Sequence, residues 1–331
     1  NGPELDRGQY VQMVNGPNDS LYVAYYDARD TDIRRAKLTD GNWVEMDGLV
    51  DGDTADVGTW LSLAVGANGG WHMAYRDDTA ASLRIISVDA VNNGCHGENG
   101  PGTPLRITYQ DMADAGLPSA DFGTHTSTGI LSDGRLAVSF YDAWRTNLML
   151  VTCKEDSFQL QLLDGETVAS DVDTDAGRWS SLAVDPSTGR LGVAYHDATL
   201  GALKYITSRD GTLSPIIVDD GGNAGHHVGL SARLAFEARP GFSESLPRIA
   251  YVDSTGRKIL FARRSIYGEW EHHTVTTLPP LGERLDGFGP ALGLTIDTQD
   301  RAYITYSRWM DENTELNVAV CDGPLCAEGP E

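Results

Sequence analysis

Basic residues are scarce in this chain. Of its 331 residues, 25 are Lys or Arg and 48 are Asp or Glu, which gives a formal net charge of −23. Nonspecific binding of nucleic acid and docking on anionic lipid both need a basic surface. The composition therefore argues against both classes of partner and fits a protein in a salty or calcium-bearing medium. A local basic pocket is compatible with it, because net charge says nothing about a single cleft.

Long apolar runs and familiar catalytic motifs are also missing. No run of 18 apolar residues occurs, so no membrane-spanning helix is predicted. The chain contains no Gly-x-Ser-x-Gly, no phosphate loop, no Cys-x-x-Cys and no His-Glu-x-x-His. No single motif therefore indicates a reaction.

Cysteine is limited to four residues. Cys321 and Cys326 flank a turn-rich loop, and Cys95 and Cys153 each follow the third strand of neighbouring repeats, so two disulfides are predicted. The first residues lack a basic and an apolar region. We expect an exported protein, extracellular, periplasmic or at the cell surface, without its signal peptide; a cytosolic protein is the alternative.

The chain does contain a phrase that returns six times. The first five copies open with Gly-x-(aromatic or His) and continue to small-aromatic-x-Asp, while the sixth reads Gly287-Phe288-Gly289 and ends in Arg308. The opening glycines are Gly8, Gly58, Gly123, Gly177, Gly225 and Gly287. The aromatic residues of the second half are Tyr25, Tyr75, Phe140, Tyr195, Tyr251 and Tyr306. A period near 50 residues with strand-like content predicts propeller blades, because one such sheet cannot bury both of its faces alone.

Each copy divides into four strand-like segments. In the first copy these are Tyr10 to Val14, Leu21 to Tyr26, Ile33 to Leu38 and a segment from Trp43. No stretch has a helical apolar period. We predict an all-β fold, a six-bladed β-propeller with four antiparallel strands per blade, as one domain over residues 1–331 with blades beginning near 8, 58, 123, 177, 225 and 287. Residues 321–331 are too polar for a good fourth strand, so either this tail or the residues before Gly8 would close the ring.

Residue types that recur in most copies indicate structural roles. The recurrent carboxylates are expected to accept N–H groups in turns. They are Asp27, Asp77, Asp142, Asp197 and Asp253. The aromatic residues of the same phrase are expected to pack between blades.

Residues that break the pattern are the candidates for function. The start of the first strand and the end of the second lie on one face of a propeller blade, so these residues should converge there. They are Arg76, His125, Tyr141, His196, His226, His227 and Arg308. Such a patch suits proton transfer, or transition-metal binding through His125, His196 and His227. The alternative is that each histidine is a packed, hydrogen-bonded ring.

Calcium is a second cofactor hypothesis. The loop with Asp171, Asp173 and Asp175 alternates carboxylates, which places several oxygens around one point. The match to an EF-hand fails, because Ala176 and Leu182 stand where Gly and Glu should be. Solvated turns in an acidic protein are the alternative.

The repeat resembles those of exported bacterial β-propellers over nearly the whole chain. The clearest copy is Gly-Arg-Trp-Ser-Ser-Leu-Ala-Val from Gly177, followed by Val-Ala-Tyr-His-Asp from Val193. It is distantly similar to sialidase-like and ulvan-lyase-like propellers, although full Ser-x-Asp-x-Gly-x-Thr-Trp boxes are absent. The resemblance to ulvan-lyase-like propellers implies β-elimination on a polysaccharide. His125 would take the proton, Tyr141 or His196 would serve the leaving group, and Arg76 would neutralise the uronate.

These observations leave three hypotheses. The first is a monomeric exported propeller that binds a glycan, another small ligand or a metal ion in its funnel. Its ligand-binding residues would be Tyr10, Trp60, Trp179, Tyr26, His226, His227 and Arg308. The second is the polysaccharide lyase, and the third is a repeat protein with no pocket chemistry.

Overall fold

Six four-stranded antiparallel sheets make up the fold, and each sheet consists of four consecutive strands of the chain. The chain thus has the six-bladed β-propeller fold that the repeat predicts. The computed structural model describes residues 7–46, 48–52, 54–90, 94–166, 174–209, 212–222, 225–237, 243–278, 291–310, 313–322 and 325–328. The chain divides into two units, residues 1–171 and 172–331, and each is described by itself.

The first unit contains three blades. The first blade consists of β1 (Arg7–Asn15), β2 (Leu21–Asp27), β3 (Asp32–Thr39) and β4 (Asn42–Glu45). The second consists of β5 (Val57–Val65), β6 (Trp71–Asp77), β7 (Ser82–Val88) and β8 (Leu105–Ile107). The third consists of β9 (Phe122–Ile130), β10 (Leu136–Asp142), β11 (Asn147–Lys154) and β12 (Ser157–Asp164). A 3-10 turn (Pro17–Asp19) and a short helix, α1 (Tyr109–Asp114), complete the unit.

The second unit contains the other three blades. The fourth consists of β13 (Ala176–Val184), β14 (Leu191–Asp197), β15 (Ala202–Arg209) and β16 (Thr212–Asp219). The fifth consists of β17 (Val228–Glu237), β18 (Leu246–Asp253), β19 (Lys258–Arg264) and β20 (Trp270–Thr277). The sixth consists of β21 (Leu292–Ile296), β22 (Arg301–Met310), β23 (Asn313–Asp322) and β24 (Leu325–Glu328).

Two elements differ from the sequence prediction. The sixth blade has a fourth strand, β24, whose Cys326 lies opposite Cys321 of β23. The predicted disulfide between these residues is present and closes this hairpin. A fourth strand of only four residues therefore pairs with β23, although this part of the chain is polar. The helix α1 was not predicted; it begins at a capping box in which Thr108 and Asp111 satisfy each other's backbone N–H groups.

The apolar core consists of layers between neighbouring blades. In the first unit, one cluster joins Tyr22 and Ile33 of the first blade to Trp71 and Tyr75 of the second. Similar clusters join the second blade to the third, the fourth to the fifth and the fifth to the sixth. Within each unit, neighbouring blades therefore bury their faces against each other, as the repeat implied.

The recurrent aromatic residues take part in this packing, as predicted. Tyr75, Phe140, Tyr251 and Tyr306 are fully buried in these clusters. Two of them also donate a hydrogen bond to a carboxylate that ends the preceding blade. Tyr75 Oη lies 2.8 Å from Asp51, and Tyr251 Oη lies 2.6 Å from Asp219. The first-blade copy, Tyr25, is only half-buried.

The recurrent aspartates accept turn N–H groups, also as predicted. Asp27 accepts from Arg29, Asp77 from Ala80, and Asp197 from Leu200. Asp142 accepts from Trp144 and Arg145, and Asp253 from Gly256. The chain can thus turn sharply between the second and third strands while all five carboxylates stay buried.

The predicted disulfide between Cys95 and Cys153 is present as well. It ties the insertion after β7 to β11 of the next blade. Two disulfides fit an extracellular protein, because such bonds persist in oxidising compartments.

Removal of Arg84 should destabilise the first unit. Arg84 is buried and donates to Asp77 at 2.8 Å and to Asp51 at 2.7 Å, and both carboxylates are almost fully buried. Arg84→Met would leave two buried carboxylates without their cation, so we expect a loss of about 3–5 kcal/mol in the free energy of unfolding. Urea unfolding followed by circular dichroism measures it.

The matched control is Arg135→Met. Arg135 pairs with Asp133 on the surface, where both side chains are about half exposed. Its loss should cost less than about 1 kcal/mol. Equal effects of the two substitutions would contradict the structural role of Arg84.

Candidate functional site

A β-bulge in the first strand presents one side chain in each of the first five blades. In β5, Thr59 pairs with Arg76 and Ser62 with Ala74, so two residues lie opposite the single Tyr75. The bulged residue has a left-handed backbone in each of five blades. These bulge positions are Tyr10 (φ 51°), Trp60 (φ 52°), His125 (φ 51°), Trp179 (φ 52°) and Ser231 (φ 51°). The conformation is costly for a residue with a Cβ, so the surrounding sheet must impose it.

The glycine two positions earlier makes the bulge possible. Gly123 has φ +93°, and a Cβ there would lie 2.9 Å from the backbone oxygen of Ser82 in the preceding blade. Gly229 has φ +94°, and its Cβ would lie 2.8 Å from Leu203 Cα. Both the backbone angle and the close approach of two blades therefore require glycine.

This geometry corrects the fifth copy of the repeat. The bulge motif there is Gly229-Leu230-Ser231, four residues after the predicted Gly225-His226-His227. The prediction aligned copies by a glycine followed by an aromatic ring, and a serine at the bulge hid the true copy. His226 and His227 precede β17. His227 instead occupies the place of Asp56 and Asp175, since all three donate a backbone N–H to a turn threonine.

In the first unit, the bulge side chains of consecutive blades form a continuous row. The ring centroids of Tyr10 and Trp60 are 5.6 Å apart, and those of Trp60 and His125 are 4.0 Å apart. We call these three residues the aromatic row. Tyr10 is 38% exposed, while Trp60 and His125 are half-buried. Thr126 Oγ1 donates to the backbone oxygen of Trp60, which ties β9 to β5 next to the row.

Two buried tyrosines border this row. Tyr26 lies 6.4 Å from Tyr10 and Tyr141 lies 5.9 Å from His125, centroid to centroid. Tyr26 Oη donates to Asp56 at 2.7 Å. Burial, followed by this carboxylate, raises the pKa of Tyr26 well above its ordinary value, so Tyr26 stays a neutral donor.

A polar cluster of Arg76, Asp78 and Asp121 accompanies the row. Arg76 Nε donates to Asp78 at 2.7 Å, and its Nη1 donates to Asp121 at 2.8 Å. The cluster is close enough to influence Tyr10: burial and then the charge of Asp78 raise the pKa of that phenol, and Arg76 opposes them. Aromatic faces and hydrogen-bonding groups therefore lie side by side.

Sequence reasoning missed Trp144, which lies beside this cluster. Its side chain is 67% exposed, and its backbone N–H lies 3.0 Å from the oxygen of Asp121. In the second, fourth and fifth blades, the turn after the recurrent aspartate reads Asp-x-Thr, with Thr79, Thr199 and Thr255. In the third blade the same turn reads Asp-x-Trp, with Trp144. An alignment of these four turns would have revealed Trp144.

In the second unit, the predicted residues form a smaller group. The ring centroid of His196 lies 5.6 Å from that of Trp179 and 6.1 Å from that of His227. His196 is buried, and its Nδ1 lies 2.7 Å from the carbonyl oxygen of Val228. Burial lowers the pKa of His196, although that hydrogen bond opposes the shift. It is thus a packed, hydrogen-bonded ring, as the alternative reading proposed.

Three other predicted residues of this unit, His226, Arg308 and Asp175, have separate surroundings. His226 is half-buried against the turn at Gly221, and His227 is exposed. Arg308 lies on β22, opposite Glu315 of β23. Asp175 pairs with Arg178 at 2.6 Å.

Metal binding stays a prediction. Within the described ranges, no three His, Cys, Asp or Glu side chains converge as a set of metal ligands. Asp171 and Asp173 of the calcium hypothesis lie outside the described residues.

Comparison with known proteins identifies the fold and no family. The chain matches no family model, and no curated protein matches its sequence. The Aleuria aurantia lectin, solved with alpha-methyl-L-fucoside, is similar in structure with a TM-score of 0.52 at 12% identity, covering 98% of this chain and 96% of the lectin.

Two further structures are similar at lower scores. The Ruminococcus gnavus intramolecular trans-sialidase has a TM-score of 0.49 at 12% identity, covering 91% of each chain. The polysaccharide lyase Uly1 has a TM-score of 0.47 at 11% identity, covering 95% of this chain and 77% of the lyase. No functional argument follows from these two structures.

The helices in the described part of the chain are too short to cross a membrane.

His196 should remain neutral at mildly acidic pH. The Val228 carbonyl holds a proton on Nδ1, and burial disfavours a second proton on Nε2. Long-range ¹H–¹⁵N NMR between pH 5 and 8, with His196→Gln for assignment, should show the Nδ1–H tautomer and a pKa below the usual value of about 6.5. A pKa of His196 above about 6.5 would contradict the prediction that burial disfavours its charged form.

Proposed function

We propose that this protein binds a glycan on the aromatic row of its first unit. The observation that carries the proposal is the row itself: three rings from consecutive blades in contact, with Tyr10 38% exposed. Rings used only for packing would be buried, as Tyr75 and Phe140 are.

The chemistry of the surface suits a sugar. The apolar face of a sugar ring packs on aromatic side chains, and its hydroxyls need donors and acceptors close by. The polar cluster of Arg76, Asp78 and Asp121 supplies both beside the row. Because Arg76 already has two carboxylate partners, its charge is balanced and the surface favours a neutral ligand.

Trp144 would extend this surface. Its exposed indole lies in a turn that is bonded to Asp121, the far end of the polar cluster. A second sugar residue of an oligosaccharide would pack there. We therefore expect an oligosaccharide to bind more tightly than its monosaccharide.

The fold and the disulfides support this proposal. The Aleuria aurantia lectin, which shares the six-bladed propeller over 98% of this chain, was solved with a fucoside bound. Two disulfides fit an exported protein, and extracellular glycans are found in that environment.

A glycan array followed by titration of the best ligand tests the proposal. Trp60→Ala should weaken binding by about 2 kcal/mol, or about 30-fold in Kd, because Trp60 is central to the row. Tyr10→Ala removes a more exposed ring and should weaken binding without affecting the fold.

The matched control is Trp43→Ala, which removes a 54% exposed tryptophan on the edge strand β4. It should leave the Kd unchanged. Binding that survives Trp60→Ala and Tyr10→Ala in a folded protein would place the glycan elsewhere.

The lyase is the second candidate, because the rings of His125 and Tyr141 lie 5.9 Å apart. Two observations favour binding instead: Tyr141 is almost fully buried, and Arg76 is engaged by Asp78 and Asp121 rather than left to pair with a uronate. We expect no unsaturated uronate from a panel of polyuronates. Release that His125→Ala abolishes would establish the lyase in place of the binding protein.

A further inference from the structure

A cavity of about 260 Å³ lies in the second unit, between the fourth and fifth blades. Its walls include the turns before β14 and β18 and the hairpin after β19. Trp179 lies near the start of β13, whereas Asp185, which lines the cavity, follows the end of that strand. The cavity is thus at the opposite end of the strands from the bulge residues.

Asp185, in the lining of the cavity, belongs to a polar network. Asp185 is buried and accepts hydrogen bonds from Ser187 N at 2.8 Å and Thr188 Oγ1 at 2.6 Å. Ser187 Oγ lies 2.8 Å from Ser245 Oγ of the fifth blade. Burial alone would raise the pKa of Asp185, but these donors outweigh it and lower the pKa. Asp185 is therefore an ionised structural residue whose acceptors are already used.

One of the charged groups that line the cavity has no partner of opposite charge among the described residues. Arg190 and Glu244 form a long, exposed pair at 3.4 Å. Arg264 also lines the cavity; its Nε donates to Gly268 O at 3.3 Å, and it has no carboxylate partner among the described residues. The lining thus contains two guanidinium groups and two carboxylates, those of Asp185 and Glu244, and neither carboxylate pairs with Arg264. A guanidinium group at a cavity without such a partner indicates a ligand that carries a negative charge.

Two tyrosines line the cavity, and one is exposed while the other is buried. Tyr267 is 85% exposed in the hairpin turn after β19, held by a hydrogen bond from its backbone N–H to Ser265 Oγ. Tyr205 is buried in the wall, and burial raises its pKa to about 12, so it presents a neutral phenol. An exposed tyrosine on a tight turn offers a flat face at low entropic cost.

We propose that this cavity binds a small ligand in which a carboxylate is attached to a ring. A guanidinium group holds a carboxylate through two parallel hydrogen bonds, and Arg264 would provide them. Tyr267 would pack on the ring, and Glu244 would accept from a ring hydroxyl. A cavity of about 260 Å³ lies just below the range typical of drug-sized ligands, so it fits a single ring.

The ring is either a sugar or an aromatic ring, and the experiment distinguishes them. Isothermal titration of the full chain uses methyl glucuronide against methyl glucoside, and 4-hydroxybenzoate against 4-hydroxybenzamide. Within each pair the ring is the same, and a carboxylate is replaced by a neutral hydroxymethyl or carboxamide group. We expect at least one acid to bind on the order of tenfold more tightly than its neutral partner, because hydrogen bonds to charged groups are the stronger ones.

Variants assign that binding to the cavity. Arg264→Gln and Tyr267→Ala should each weaken binding of the acid on the order of tenfold, and Arg264→Lys should retain part of it because the charge remains. The matched controls are Arg135→Gln and Tyr109→Ala, which alter exposed residues of the first unit and should have no effect. Thermal melts verify that each variant is folded.

The proposal fails if neither acid binds at millimolar concentration, if acids and neutral analogues bind alike, or if Arg264→Gln and Tyr267→Ala leave binding intact. It is independent of the glycan proposal. Trp60→Ala should leave binding of the acid unchanged, and Tyr267→Ala should leave binding on the aromatic row unchanged.

Discussion

The bulge in the first strand of the first five blades is the constraint on which the rest of the structure depends. A glycine at positive φ lets one blade approach the backbone of the preceding blade, as Gly123 does at Ser82 and Gly229 at Leu203. Two residues later the chain takes a left-handed conformation and turns a side chain out of the regular pleat. Where that side chain is aromatic in consecutive blades, a row of rings results. The same device therefore packs the blades and builds the candidate binding surface.

Some of the many carboxylates in this chain have a structural role. The five recurrent aspartates satisfy turn N–H groups, and Asp51 and Asp219 accept from buried tyrosines of the next blade. Asp32 accepts from three backbone N–H groups, those of Ile33, Asp51 and Gly52. Many carboxylates are thus internal acceptors, so a net charge of −23 does not describe every cleft. The cavity between the fourth and fifth blades, whose lining contains two arginines and two carboxylates, is the clearest example.

The fold was predictable because its signals are local and repeated. A period near 50 residues, turns at every junction and a recurrent buried aspartate all reflect one blade, and six copies make the pattern visible. Both disulfides were predictable from their places relative to strands. The strand β24 was not, because its pairing depends on the covalent bond between Cys321 and Cys326 and not on apolar content.

The candidate site was predictable only in part. Tyr10, Trp60 and His125 follow directly from the motif, and the structure places them in contact. His227 was aligned with them because it follows Gly225, yet the bulge falls at Ser231, where no aromatic ring marks it. Trp144 lies in a turn and not in the motif, and the cavity between the fourth and fifth blades joins residues from three separate turns. These residues come together through packing between blades, and the sequence repeat carries no information about that packing.

A crystal structure with a bound oligosaccharide tests the central claim most directly. The account predicts a sugar ring stacked on Trp60 at van der Waals distance, about 4 Å, with the left-handed backbone retained at Tyr10, Trp60 and His125. A glycan bound away from these rings, or a Trp60 in extended conformation with its indole turned into the core, would contradict it.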